Sequence, residues 1–152
     1  MREFETIQDY AAQVGKEIGI SDWLLVDQDR INKFADATGD HQWIHVDVER
    51  AKKDMPGGKT IAHGYLTLSL IPFLTKKIAK VKKVSRGINY GSNKVRFTSP
   101  VPAGARVRAR QKLVAAEPVQ GNGMRFTNEI TIEIEGQDRP ACVAEVMAIQ
   151  YA

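Results

Sequence analysis

Ile61-Ala62-His63-Gly64-Tyr65-Leu66-Thr67-Leu68-Ser69-Leu70-Ile71-Pro72-Phe73-Leu74-Thr75-Lys76-Lys77-Ile78 is the most hydrophobic run of the 152-residue chain. Leu66, Leu68, Leu70, Ile71, Phe73 and Leu74 make it apolar on almost every side, which predicts a buried helix. Pro72 lacks an N–H and its ring meets the preceding turn, so the helix should kink or stop early there. Such a helix needs apolar cover on most sides, and the second half of the chain offers it. From Val84 onward the pattern has period two. In Arg106–Val114, Val107, Ala109 and Leu113 share one face, while Arg106, Arg108, Arg110 and Lys112 share the other. One buried and one solvated face implies an antiparallel sheet. Gly121-Asn122-Gly123 is a turn. Alternation resumes through Phe126, Ile130, Ile132 and Ile134, and a last strand is expected over about 141–151. The fold class is α+β: a long central helix wrapped by a curved antiparallel sheet.

The first half reads differently. Phe4, Ile7, Tyr10, Ala11, Val14 and Ile18 recur at helical spacing, with Gly15 and Gly19 weakening and then ending that segment. Ser21–Val26 reads as a short strand. Asp27 offers an N-cap for a helix over 28–38, whose apolar stripe is Ile31, Phe34 and Ala35 and whose stop is Gly39. Asp47 caps a short helix over 48–53, and Met55–Lys59 is a loop.

Length and charge bound the rest. A chain of 152 residues is expected to form one domain, 1–152, with a core large enough to need no disulfide or metal. The lone Cys142, in an apolar strand context, reads as a buried inert thiol in a reducing compartment. The N-terminus has no apolar signal core, and no stretch approaches the roughly 18–20 apolar residues of a membrane span, so a cytoplasmic protein without membrane contact is expected. The net charge of +4, from 22 basic and 18 acidic residues, is mild. Its basic clusters, Lys76–Lys83 and Arg106–Lys112, lack interleaved aromatics and any nucleic-acid motif, so no nucleic-acid partner is expected.

Chemistry concentrates in residues 39–64, which hold all three histidines. Asp40 and His45 are five residues apart, about 140° around a continuous helix, so they converge only if the helix ends near Gly39 and the chain turns. An ionised carboxylate beside an imidazole that titrates near neutrality is suited to handling one water molecule. On spacing alone, a turn-capping Asp40 and a satisfied buried His45 fit slightly better. His63-Gly64 precedes the apolar helix, where free N–H groups and the positive dipole end suit a developing oxyanion. His63 itself fits a backbone hydrogen bond. His41, His45 and His63 lack a thiolate or a close acidic ligand set, so no metal is expected.

The run Phe34-Ala35-Asp36-Ala37-Thr38-Gly39-Asp40-His41-Gln42-Trp43-Ile44-His45 resembles the hydratase signature of the MaoC-like dehydratases, among them (R)-specific enoyl-CoA hydratases and NodN-like proteins. Ile61–Leu66 is similar to the family's second block, and Pro100-Val101-Pro102-Ala103-Gly104 to a later turn. Gln42-Trp43 stands where Asn-Pro is usual. The resemblance runs from about residue 20 to the C-terminus and is strongest to single-domain, NodN-like 3-hydroxyacyl-thioester dehydratases of actinobacteria. It implies a hot-dog fold, a homodimer, and reversible hydration of a trans-2-enoyl-CoA, or dehydration of a 3-hydroxyacyl-acyl-carrier protein, without cofactor. It also implies Asp40 and His45 as the catalytic pair around one water. Gly64 N–H would face the thioester oxygen, with His63 beside it. Tyr90 and Asn93 fall on a strand that resembles one running beside the family's site, as substrate contacts. The basic clusters become candidates for coenzyme A phosphates. A hot-dog module that binds acyl thioesters without turnover is the non-catalytic alternative.

Overall fold

A computed structural model describes all residues, 1–152. Two short strands and one short helix open the chain: β1 (Arg2–Phe4), α1 (Ile7–Ala11) and β2 (Glu17–Ile20), followed by β3 (Leu24–Val26). The helical spacing of Phe4 to Ile18 is therefore realised by only one turn and a half. Thr6 and Asp9 close a capping box at its start, and Gly15, at φ 90°, turns the chain into β2. Phe4, Ile7, Tyr10 and Ile18 are still buried, so their periodicity reports burial from three different elements rather than one helix. The strand expected over Ser21–Val26 shrinks to its last three residues.

The helix over 28–38 forms as expected. In α2 (Gln28–Thr38), Asp27 accepts from Arg30 N–H and Gly39 stops the helix in the left-handed region at φ 77°. Two short helices follow, α3 (Trp43–Val46) and α4 (Val48–Asp54), the second capped by Asp47 as expected. The apolar run becomes α5 (Gly64–Ser69) and α6 (Ile71–Thr75), broken at Leu70, two residues before Pro72. Proline has no N–H for the Leu68 carbonyl, which accounts for the break.

The strands β4 (Ala79–Val81), β5 (Arg86–Phe97), β6 (Ala105–Val119), β7 (Gly123–Ile134) and β8 (Cys142–Tyr151) complete the chain. β1 and β4 pair in parallel as a separate ribbon. The main sheet is antiparallel in the order β2-β6-β7-β8-β5, with β3 also on β6. Its inner face buries Val107, Ala109, Leu113, Phe126, Ile130, Ile132 and Ile134, as the alternation requires.

Two inward positions break the apolar rule, Gln111 on β6 and Asn128 on β7. Both are buried, and they bind one another and Tyr10 of α1. Burial holds the Tyr10 phenol neutral, its pKa pushed up to about 12. Cys142 is fully buried on β8, and burial likewise pushes its thiol up to about 11.

The central helix is covered less completely than its composition suggests. Leu66, Leu70, Ile71 and Leu74 pack into the core. The opposite side, Leu68, Ser69, Pro72 and Thr75, faces a cleft of about 600 Å³ against β5 and β8. The edge strand β5 is exposed along nearly its whole length. The sheet thus wraps one side of the helix within this chain, and the other side stays open. No helix is long and apolar enough to cross a membrane.

Candidate active site

Asp40 and His45 are brought together by a break, not by a helix face. Gly39 ends α2, residues 40–42 lie outside any element, and α3 carries His45 back toward the chain before α5. Trp43, which starts α3, lies under the Arg50 guanidinium at 3.9 Å from the ring centre. That stack ties the start of α3 to α4, beside the turn at residues 40–42. His45 is buried while Asp40 is exposed. One donor atom from each of Asp40, His45 and His63 lies within 4.8 Å of the others. A single water making two hydrogen bonds of about 2.8 Å spans separations of this order.

Both imidazoles are oriented by the main chain. His45 Nδ1 lies 2.7 Å from Ile61 O, and His63 Nε2 lies 2.9 Å from Asp40 O. A carbonyl only accepts, so each of these nitrogens carries the hydrogen and donates it. In the neutral rings the other nitrogens, His45 Nε2 and His63 Nδ1, are left bare. His63 Nδ1 is buried without a partner. The rings stack at 3.8 Å with planes 24° apart, and Phe34 packs on His63 at 4.9 Å. Lone pairs lie in the ring planes. Planes so nearly parallel at that spacing meet well beyond the roughly 2.0–2.1 Å of a zinc–nitrogen bond. The two rings are therefore not aimed at one ion, although Asp40 does bring a carboxylate close to both, the acidic neighbour that the sequence did not lead one to expect.

Residues that the sequence did not single out hold this arrangement. Gln28, at the start of α2, donates to His45 O at 2.7 Å and accepts from the Thr60 hydroxyl. It fixes the backbone on which the imidazole stands. Its sequence signal is weak: a polar residue just after a cap is ordinary.

Gly64 is the first residue of α5, so its N–H has no partner in the helix ladder. A Cβ there would lie 2.9 Å from Phe97 Cδ2 and 3.0 Å from Phe97 Cγ. The glycine's φ is ordinary, and it lets the Phe97 ring approach this closely. Gly64, Thr67, Phe97, Pro100 and His45 line a cleft of about 300 Å³. Tyr90 and Asn93 do not join it. Tyr90 is exposed on β5 with the Arg125 guanidinium over its ring, and Asn93 reaches only Met147 Sδ at 4.0 Å. His41 is also apart, exposed and bound to Asp36 at 2.8 Å.

The arginine strand is not free for phosphates. Arg106 pairs with Glu135, Arg108 with Glu133, and Arg110 with both Glu17 and Glu133. Lys82 is held by Glu3 and Glu5. Lys76, Lys77, Lys80 and Lys83 remain without an acidic partner, the first two against the Phe73 ring.

A split helix lying against a curved antiparallel sheet, with Asp40, His45 and His63 gathered near its N-terminal end, is the hot-dog arrangement. Residues 9–134 match the MaoC like domain, and the chain belongs to that family. It is 53% identical over 145 residues to 3-hydroxyacyl-thioester dehydratase Z of Mycobacterium tuberculosis, covering 95% of each chain. It is 44% identical to Nodulation protein N of Rhizobium leguminosarum, covering 95% of this chain and 90% of that one. Among solved structures, a monoamine oxidase regulatory protein from Archaeoglobus has the same fold, with a TM-score of 0.76 at 24% identity, over 99% of this chain and 97% of the other.

Proposed function

We propose that the chain is a hydro-lyase that interconverts trans-2-enoyl-CoA and (R)-3-hydroxyacyl-CoA, with Asp40 and His45 sharing the water. Dehydratase or hydratase action on 3-hydroxyacyl thioesters is supported by the extent of its likeness to a 3-hydroxyacyl-thioester dehydratase. The observation that carries the catalytic assignment is the convergence of Asp40, His45 and His63 donor atoms within 4.8 Å at the head of α5, beside a cleft that Gly64 lines.

The geometry supports one course of chemistry. A water held between the Asp40 carboxylate and the bare Nε2 of His45 loses a proton to one of them as its oxygen bonds to C3. Electron density shifts through C2 to the thioester carbonyl, whose developing negative charge the Gly64 N–H stabilises. The proton is then delivered to C2, so that the elements of one water have added across the double bond. Every atom comes from enoyl thioester and water, and no cofactor or metal enters the balance.

Replacement of Asp40 by Asn, or of His45 by Ala, is expected to lower hydration of crotonyl- and octenoyl-CoA by at least about 10²–10⁴-fold, the usual span for a general acid–base group. The assay follows loss of the conjugated enoyl absorbance. Near-normal turnover by either folded variant would end the assignment. The coenzyme A carrier is tested by offering the same acyl chain on acyl-carrier protein, where faster turnover favours the carrier-protein dehydratase. A homodimer joined along β5 fits the same reading, because that edge is unpaired and exposes Ile88, Tyr90 and Phe97.

A further inference from the structure

We propose that His63 is a positioning residue for the hydration: its Nε2–H holds the main chain of Asp40 and so sets where the Asp40 carboxylate stands. This rests on the hydratase reading and adds a residue to the same site.

Asp40 has little else to hold it. Residues 40–42 join α2 to α3 and lie outside any element. Most of their hydrogen bonds are local: His41 to Asp36 at 2.8 Å, Gln42 N–H to Asp40 Oδ1 at 3.4 Å, and His45 N–H to Gln42 O at 3.0 Å. The bond from His63 Nε2–H to Asp40 O, at 2.9 Å, is the one that comes from a distant part of the chain, 23 residues on. Asp40 is exposed, and the one hydrogen bond its carboxylate accepts, from Gln42, is long.

The donor, by contrast, is fixed. His63 is 2% exposed and stands where the chain enters α5. Its ring packs on Phe34 at 4.9 Å and stacks on His45 at 3.8 Å. Its carbonyl accepts from the N–H groups of Leu66 and Thr67 at 3.0 and 3.2 Å, in the first turn of α5. That helix is anchored in the core by Leu66 and Leu70. A buried ring on a core helix thus reaches across to an exposed turn, and the turn is the partner free to move.

His63 is not placed to touch the thioester. Its Nε2–H is spent on Asp40 O, and Nδ1, bare in that tautomer, is buried without a partner. It is not among the residues lining the cleft that His45 and Gly64 share. Its influence on the reaction therefore passes through Asp40. Misplacing a reacting group by about 1 Å can cost about 10²-fold in rate. Displacing the water-holding carboxylate leaves the acyl contacts in place, so the loss falls on kcat and not on KM.

The experiment measures hydration of crotonyl-CoA by two variants. His63→Phe keeps a flat ring against Phe34 and His45 but has no N–H; His63→Gln brings an amide N–H in place of Nε2–H. In His63→Phe, kcat should fall by about 10²-fold, with KM within about threefold of wild type. His63→Gln should regain at least about tenfold of that loss, as expected for one net hydrogen bond. The deciding comparison is made in Asp40→Ala, where no carboxylate is left to place. There the further change His63→Phe should alter kcat by less than about threefold. A loss in Asp40→Ala as large as in the wild type overturns the proposal, because His63 then acts on something other than the carboxylate. Undiminished kcat in His63→Phe overturns it too, as does a His63→Gln no better than His63→Phe. If His63→Phe does not fold, His63→Leu, also without a donor, takes its place in both backgrounds. A wild type that hydrates nothing, or an Asp40→Ala with wild-type turnover, refutes instead the hydratase reading or its catalytic pair, and with it the task given to His63.

Discussion

Replacing Gly64 by alanine separates the two demands on that residue. The added Cβ would sit 2.9, 3.0 and 3.1 Å from Phe97 Cδ2, Cγ and Cε2, against about 3.5–4.0 Å for a comfortable carbon contact. The ring must therefore give way by roughly half an ångström or more. Phe97 is 47% exposed and touches Tyr65 only edge-on, so it can rotate, at about 0.5–1.5 kcal/mol for an off-rotamer side chain. Against this, alanine in place of glycine restricts the unfolded chain and returns about 0.4–1 kcal/mol. The two nearly cancel, and Tm should move by no more than about 2–4 °C for a chain of this size.

Activity should respond quite differently. The methyl stands on the Phe97 side of the cleft that His45, Gly64 and Phe97 line, and in the proposed reaction it crowds the thioester oxygen beside the Gly64 N–H. The N–H itself remains in alanine, so the full cost of one oxyanion donor, about 10²–10³-fold in kcat or roughly 3–4 kcal/mol, is the upper limit and is reached when the methyl keeps the thioester oxygen away from it. Enoyl hydration and thermal melting are measured on the same preparations. Wild-type turnover in Gly64→Ala would refute the role given to this N–H. Recovery of activity in Gly64→Ala/Phe97→Ala would show instead that ring displacement, not blocked access, caused the loss.

Two further outcomes are expected. The folded protein keeps the Tyr10 phenol neutral to about pH 12, while an unfolded tyrosine ionises near 10, so above pH 10 the unfolded state holds fewer protons. Stability should fall as pH rises between about 10 and 12, by up to about 3 kcal/mol, and Tyr10→Phe should flatten that limb in urea melts taken across this range. Sedimentation at micromolar concentration should return twice the chain mass if β5 joins two copies; a monomer excludes the pairing.

The order of helix and sheet was legible because burial leaves a period. The alternation in β6 and β7 and the caps at Asp27, Gly39 and Asp47 are local signals, and each landed where it pointed. The site was legible through Gly39, whose left-handed turn lets Asp40 and His45 converge. What stayed hidden depends on contacts across long separations. Phe4 to Ile18 kept a helical spacing while serving three elements, since each buried residue answers to the same core. Gln28 and Thr60 meet His45 only after folding. Gln111 and Asn128 interrupt two apolar faces, but their meaning emerges only when β6, β7 and Tyr10 are side by side. The arginines of β6 read as free cations until Glu133 on β7, Glu135 just after it and Glu17 on β2 are opposite them.

The imidazoles of His45 and His63 take their bearings from the carbonyls of Ile61 and Asp40. A carbonyl is present whatever side chain a codon specifies, so this part of the site cannot be lost by point substitution at either supporting position. Side chains around the turn, Gln42 and Trp43 among them, can then differ without changing which nitrogen of each ring is tied to the main chain. The residues that line the neighbouring cleft, Phe97 and Pro100 among them, can accordingly be changed while both rings keep their orientation.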